Sequence, residues 1–93
     1  MAEVTMYTAQ SCGYCQRAEL LLNRKGVDDL KKIPIDVEPS QLKGMISRTG
    51  RRTVPQIFVG ELHIGGFDDL VALDRTGELD ELLRNNGQRS NPS

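Results

Sequence analysis

Residues 7–26 read YTAQSCGYCQRAELLLNRKG and carry both cysteines of the chain, Cys12 and Cys15. From Cys12 onwards, apolar residues recur at spacings of three and four, a period that predicts a helix with one buried face. Gly26 supplies the C-terminal stop of this helix. Residues 3–8, EVTMYT, alternate along the chain as a β-strand does. The cysteine pair is therefore predicted to lie where a strand gives way to a helix.

A second strand and a second helix are predicted to follow. Residues 32–37, KIPIDV, place two isoleucines and a valine on one side of a strand. Because Pro34 has no N–H to donate, this strand should lie at the edge of a sheet. Ser40 is predicted to cap the next helix, which Gly50 closes.

The C-terminal part predicts a hairpin and two more helices. The runs QIFV and LHI, residues 56–59 and 62–64, flank a Gly-Glu pair that suits a two-residue hairpin turn. One helix is predicted from near Asp68, and a short last helix carries the leucines of residues 79–83. This order predicts an α/β fold, a four-stranded mixed sheet with helices on both faces. Its first two strands should be parallel, with a right-handed crossover.

The composition is that of a single soluble domain. The 93 residues are 38% apolar, the net charge is −1 and the pI is about 5.8, so there is no electrostatic reason to bind nucleic acid or an anionic membrane. No apolar run exceeds the four residues 70–73, and the N-terminus lacks the pattern of a signal peptide. We therefore expect a cytoplasmic protein with one domain over residues 1–84 and a disordered tail over residues 85–93.

The two cysteines do not suit a structural role. A structural zinc site needs four ligands, and the chain adds only one histidine, His63, to the cysteine pair. A structural disulfide is disfavoured because the cytoplasm keeps thiols reduced. A loop this short would also constrain the unfolded chain little. A reactive pair is favoured instead.

The predicted position of Cys12 supplies a chemical reason for reactivity. In the first turn of a helix, free backbone N–H groups and the helix dipole favour an anion, and the thiolate is the nucleophilic form of cysteine. Cys15 lies on the same helix face one turn deeper, where it can attack a mixed disulfide formed at Cys12. A C-x-x-C pair beside a βαβ unit therefore indicates thiol–disulfide exchange.

Three motifs relate the chain to a known family: CGYC at residues 12–15, TVPQIFV at 53–59 and HIGGFDDL at 63–70. With these motifs in this order and spacing, residues 3–84 resemble the glutaredoxins, of the small dithiol bacterial type. The resemblance implies a thioredoxin fold, glutathione-dependent thiol–disulfide exchange and a cis peptide bond before Pro55. It also implies that a set of residues around the cysteines contacts glutathione: Tyr14, Thr53, Val54, Pro55, Gly66, Phe67, Asp68 and Asp69.

Two regions of this set have specific expected roles. The family pattern pairs the backbone of Val54 with the cysteine of glutathione, as an added strand would pair. It places the γ-glutamyl carboxylate of glutathione at the N-terminus of the helix that starts near Asp68, where carboxylates bind well. Asp68 is expected to meet the ligand's amino group while Asp69 caps the helix.

The chain departs from the family pattern at three positions. Gly13 stands where proline commonly follows the first cysteine, and Phe67 stands where many relatives have cysteine or serine. Ala9 replaces a lysine that commonly reaches the glycine carboxylate of glutathione. Arg52 is the residue expected to supply this missing charge, with Arg51 as the alternative.

The resemblance leads to one main function and one alternative. The main function is reduction of protein disulfides and glutathione mixed disulfides by a monomer, with glutathionylated or disulfide-bonded proteins as partners. The alternative is a glutathione-dependent dimer in which a 2Fe–2S cluster bridges two Cys12 thiolates, because some glutaredoxins without the active-site proline bind such a cluster. A thioredoxin-type function is disfavoured because the chain has no tryptophan before the cysteine motif.

Overall fold

A four-stranded sheet organises the computed structural model, which describes residues 3–85. The elements in chain order are β1 (Val4–Thr8), α1 (Gly13–Arg24), β2 (Lys31–Pro34), α2 (Pro39–Thr49), β3 (Gln56–Val59), β4 (Leu62–Gly65), α3 (Phe67–Thr76) and α4 (Glu78–Asn85). The strand order is β2-β1-β3-β4. β1 pairs parallel to β2 and antiparallel to β3, and β4 pairs antiparallel to β3. The predicted mixed sheet is confirmed.

The strand pattern divides the sheet into two faces. Side chains of β1 and β3 alternate, so that Met6 and Ile57 join one buried cluster while Tyr7 and Phe58 join another. The first face is covered by α1, α3 and α4, and the second face by α2, which contributes Met45. Because hydrophobic burial is the main favourable term in folding, the larger first cluster carries most of the stability.

The second strand is shorter than its pattern predicts. β2 lies at the sheet edge, as the proline indicates, but it ends at Pro34 instead of continuing to residue 37. The N–H of Ile35 still bonds to the carbonyl of Thr8, at 2.9 Å, and the chain then turns. The turn brings the Asp36 carboxylate to the N–H of Gln10, at 2.8 Å. Strand pairing therefore ends where the Asp36 side chain bonds to the backbone of the neighbouring loop.

Two helix starts differ from the sequence prediction. Ser40 does not cap α2, because the N-cap is Glu38 and Pro39 is the first helical residue. Proline suits that position, since its fixed φ is helical and its missing N–H would have no partner there. The first helix begins at Gly13, one residue later than predicted, and Cys12 is its N-cap.

The C-terminal bound of the domain, given above as residue 84, stays a prediction. α4 ends at Asn85, the first residue of the predicted tail, and the rest of that tail lies outside the described residues. None of the helices within residues 3–85 is long and apolar enough to cross a membrane.

Candidate active site

Cys12 takes the position of a helix-capping side chain. Its backbone is extended, with φ −95° and ψ 109°, and its sulfur accepts a hydrogen bond from the N–H of Cys15 at 3.1 Å. A hydrogen bond from an N–H and the positive end of the helix dipole both favour negative charge on sulfur. The side chain is partly exposed, so a disulfide in solution can reach it. This geometry suits a nucleophilic thiolate, and the role of Cys12 as the nucleophile stays a prediction.

Cys15 has the opposite environment. Its side chain is only 2% exposed and belongs to the first-face cluster with Ala18 and Leu22. Burial, followed by the hydrogen bond with Cys12, raises the pKa of Cys15 to about 11. Cys15 therefore remains a protonated thiol at neutral pH while Cys12 is free.

The segment before β3 forms the wall opposite Cys12. The peptide bond between Val54 and Pro55 is cis, as the resemblance implies. The Cys12 thiol donates a hydrogen bond to the carbonyl oxygen of Val54 at 3.6 Å. Gly66 lies behind this segment, where an added Cβ would come within 3.5 Å of the Pro55 oxygen. The structure therefore brings the CGYC motif, the TVP segment and the Gly-Gly pair to one place.

The start of α3 is held by Asp69. Its carboxylate accepts the N–H of Gly66 at 2.9 Å, so it caps the helix as expected. Arg51 pairs with the same oxygen at 3.3 Å. The hydrogen bond from Gly66, followed by the interaction with Arg51, lowers the pKa of Asp69. Gly65 has φ +120° and its missing side chain leaves room for this carboxylate, which an added Cβ would strike.

An aromatic pair connects the cysteine motif to the start of α3. The ring centroids of Tyr14 and Phe67 are 5.8 Å apart, and the Arg17 guanidinium lies 5.5 Å from the Tyr14 centroid. Tyr14 is 57% exposed, so its ring is available to a bound molecule. Phe67 thus adds an apolar surface beside the Tyr14 ring.

The two arginines before Thr53 are placed differently. Arg51 is committed to Asp69 at the start of α3, which argues against its replacing the lysine absent at position 9. Arg52 is exposed and makes no ion pair with any residue from 3 to 85. Arg52 is therefore the better-placed candidate for that role, which stays a prediction. Asp68 and Thr53 are also exposed to solvent.

Three polar residues near the site escaped the sequence prediction. Gln56 is 1% exposed and bonds both to the backbone of Thr53 and to His63. Asp36 orders the loop before Cys12 by accepting the N–H of Gln10. Gln56 was recognisable as a polar residue inside an otherwise apolar run, since buried polar groups are almost always hydrogen-bonded.

The part of the chain that the structure describes offers little to a metal ion. Within residues 3–85 no group of three or more His, Cys, Asp and Glu side chains could hold one. Cysteine thiolates are the usual ligands of iron–sulfur clusters, and Cys15 is buried. One chain therefore presents a single accessible thiol, Cys12, and the bridged 2Fe–2S dimer stays a prediction.

Comparisons with known proteins agree with this geometry. A family model described as Glutaredoxin matches residues 4–64. Glutaredoxin 3 of Escherichia coli is 52% identical over 84 residues, which cover 90% of this chain and 100% of that protein. The glutaredoxin of Pseudomonas aeruginosa is 49% identical over 83 residues, which cover 89% of this chain and 98% of that protein.

Solved structures of similar chains share the fold. The buckwheat glutaredoxin–glutathione complex superposes with a TM-score of 0.84 at 31% identity, covering 92% of this chain and 80% of that chain. The solution structure of the Brucella melitensis glutaredoxin gives 0.81 at 45% identity, covering 92% of each chain. The helix-capping cysteine, the second buried cysteine and the facing cis-proline segment thus lie in a chain that is similar to these proteins along most of its length. This chain is a member of the glutaredoxin family, within the thioredoxin-fold superfamily.

Proposed function

We propose that this protein reduces glutathione mixed disulfides and protein disulfides, with glutathione as the reductant, in the cytoplasm. The observation that carries the proposal is the position of Cys12, whose sulfur receives a backbone N–H at the start of α1 and faces the Val54 carbonyl. A buckwheat relative is described in complex with glutathione, which supports glutathione as the ligand here.

The first step is attack by the Cys12 thiolate on a glutathionylated protein. A bond forms between Cys12 Sγ and the glutathione sulfur as the substrate disulfide breaks, and the released protein thiolate takes a proton from solvent. A second glutathione thiolate then attacks the glutathione sulfur of this mixed disulfide. The products are oxidised glutathione and a free Cys12 thiolate, which the N–H of Cys15 stabilises.

Protein disulfides require Cys15 as a second thiol. Burial is the largest cause of its raised pKa, and the hydrogen bond and charge of Cys12 add to it. These two contributions from Cys12 end once Cys12 is bonded to a substrate sulfur. The pKa of Cys15 should then fall, so that Cys15 becomes nucleophilic at the stage where it must attack Cys12. Before that stage, its protonated form avoids unwanted reactions.

The glutathione moiety is proposed to occupy the groove between the Val54 segment and the start of α3. Its cysteine backbone would pair with Val54, between Thr53 and the cis Pro55. The γ-glutamyl carboxylate would meet the N–H groups at Phe67 and Asp68, where a helix N-terminus favours an anion. Asp69 already caps the helix, so Asp68 remains for the ligand's ammonium group.

Two further side chains would contact the bound glutathione. Tyr14, exposed beside Cys12, would pack against the substrate. Arg52 would approach the glycine carboxylate in place of the lysine absent at Ala9.

Two cysteine variants test the proposal. The wild type should deglutathionylate a peptide faster than the uncatalysed rate, in an assay coupled to glutathione and glutathione reductase. Cys12→Ser should lose all exchange, because the one other cysteine of the sequence, Cys15, is buried. Cys15→Ser should keep deglutathionylation, which needs one thiol, and lose reduction of protein disulfides that need two.

The matched pair of cysteine variants also identifies the contrary result. A wild type that does not exceed the uncatalysed rate would overturn the proposal. If a folded Cys15→Ser protein lost both activities equally, the roles given to the two thiols would be wrong.

A further inference from the structure

A series of hydrogen bonds through the buried Gln56 side chain connects β4 to the segment that faces Cys12. The Nε2 atom of His63 lies 2.8 Å from Oε1 of Gln56. The amide nitrogen of Gln56 donates to the carbonyl oxygen of Thr53 at 3.0 Å and approaches the Thr53 hydroxyl at 3.4 Å. Gln56 is 1% exposed, so water does not replace these partners.

The bonding partners fix which atom donates in the bond between Gln56 and Thr53 and in the bond between Gln56 and His63. The carbonyl of Thr53 can only accept, so the Gln56 amide must present its NH₂ group there and its oxygen to His63. His63 must therefore carry a proton on Nε2. Its ring is held against Phe58, with centroids 5.0 Å apart, which fixes the imidazole in this orientation.

These hydrogen bonds reach a segment that is part of no helix or strand. Residues 51–55 belong to no helix or strand, and β3 begins only at Gln56. The bond from Gln56 reaches back three residues to Thr53, whose carbonyl adjoins the Val54 peptide. Val54 in turn places its own carbonyl 3.6 Å from Cys12 Sγ. The Gln56 amide is thus hydrogen-bonded at one end to His63 of the sheet, and at the other end to Thr53 in the segment that faces Cys12.

We propose that Gln56 and His63 are positioning residues, which hold the Thr53–Val54 backbone at the distance from Cys12 that a bound disulfide requires. The kinetic part of this inference rests on the proposed function, whereas its structural part does not. Neither residue touches the reacting sulfur atoms. Their effect is on the wall against which the substrate lies, because a small misplacement of a binding group weakens reaction strongly.

Three variants separate positioning from other effects. His63→Leu removes the donor and leaves the buried Gln56 oxygen unpaired, whereas Gln56→Met removes both bonds at nearly constant volume. His63→Gln restores a donor, since the amide nitrogen of glutamine stands about as far from the backbone as Nε2 does. Leu62→Ala, an exposed change in the same strand, is the matched control.

The expected result is a change in substrate binding with the thiol chemistry intact. For a glutathionylated peptide, His63→Leu and Gln56→Met should raise KM about tenfold with a much smaller change in kcat. His63→Gln should recover most of the loss, and Leu62→Ala should match the wild type. Alkylation of Cys12 by iodoacetamide, which does not use the groove, should keep its wild-type rate in all variants.

A second measurement is independent of enzymatic activity. Backbone order at Thr53 and Val54, measured by NMR relaxation, should fall in His63→Leu and return towards wild type in His63→Gln. Wild-type backbone order and wild-type KM in His63→Leu would overturn the inference. So would an equal loss of kcat, alkylation rate and thermal stability, which would mean a purely structural role. An inactive wild type would overturn the proposed function alone, because backbone order at these two residues would still test the positioning.

Discussion

The two faces of the sheet differ in the polarity of the side chains that cover them. The first face is a wholly apolar layer in which Leu22 of α1, Leu70 of α3 and Leu79 of α4 are fully buried. The second face has only a small apolar cluster around Met45, and polar side chains, including Gln56, lie beside it. The apolar layer supports the helix that carries the cysteines. The polar layer reaches the loop that faces them.

The polar layer of the second face is packed around aromatic rings. The guanidinium of Arg48 lies 4.0 Å from the centroid of Phe58 and donates a hydrogen bond to the Tyr7 hydroxyl at 3.0 Å. Tyr7 and Phe58 meet edge to face, with centroids 6.2 Å apart. The rings of this layer are buried, whereas the Arg48 side chain that covers them is exposed. The comparison therefore predicts that similar side-chain deletions on the two faces lower the free energy of unfolding by different amounts.

Deleting a core side chain should separate the faces most clearly. Leu22→Ala should lower the free energy of unfolding by about 3 to 4 kcal/mol, because it leaves a cavity inside the large cluster. Met45→Ala should cost about 2 kcal/mol, since the thin cluster beneath α2 can relax more easily. Urea unfolding at neutral pH measures both. A larger loss in Met45→Ala than in Leu22→Ala would reverse the comparison.

Removing the Arg48 guanidinium should have a smaller effect. Arg48→Met keeps apolar volume but loses the cation over Phe58 and the bond to Tyr7, at a cost of about 1 kcal/mol. Tyr7→Phe, which removes only the hydroxyl, is the matched variant for a double-mutant cycle. The cycle should return a coupling of about 0.5 to 1 kcal/mol. Strictly additive losses would mean that the bond between Arg48 and Tyr7 contributes nothing.

Local patterns in the sequence were sufficient for the elements and their order. The spacing around Cys15 predicted α1, and Pro34 predicted an edge strand, since both effects depend on near neighbours. The end of β2 was not predictable, because it depends on Asp36 meeting the backbone of Gln10 across 26 residues. Ser40 was a plausible cap by residue type, but Pro39 already begins the helix.

The site was predictable only in part for the same reason. Cys12 as nucleophile followed from its expected place at a helix start, whereas the cis bond before Pro55 came from the family resemblance alone. The bond between Gln56 and His63 requires the pairing register of β3 and β4, which shifts between Ile57 and Phe58. No residue spacing specifies that shift.

The smallest predicted effect concerns the contact that joins the two faces. Asp69 of α3 accepts the N–H of Gly66 and pairs with Arg51, which follows α2. Asp69→Asn keeps an oxygen for Gly66 but loses the charge, so it should cost only about 0.5 to 1 kcal/mol at neutral pH. Asp68→Asn, which loses a charge in the same helical turn without these contacts, is the control and should cost less.

The pH dependence of that cost has a definite sign. The pKa of Asp69 is lower in the folded protein than its usual 3.8, so its charge stabilises the fold above that value. This stability is lost as pH falls through the lower folded pKa, because the folded carboxylate then takes up its proton as well. The stability gap between wild type and Asp69→Asn should therefore be constant from neutral pH to about pH 5 and close in stronger acid. Urea unfolding across this range measures it, and a gap unchanged at about pH 2 would show that the charge of Asp69 does not join the faces.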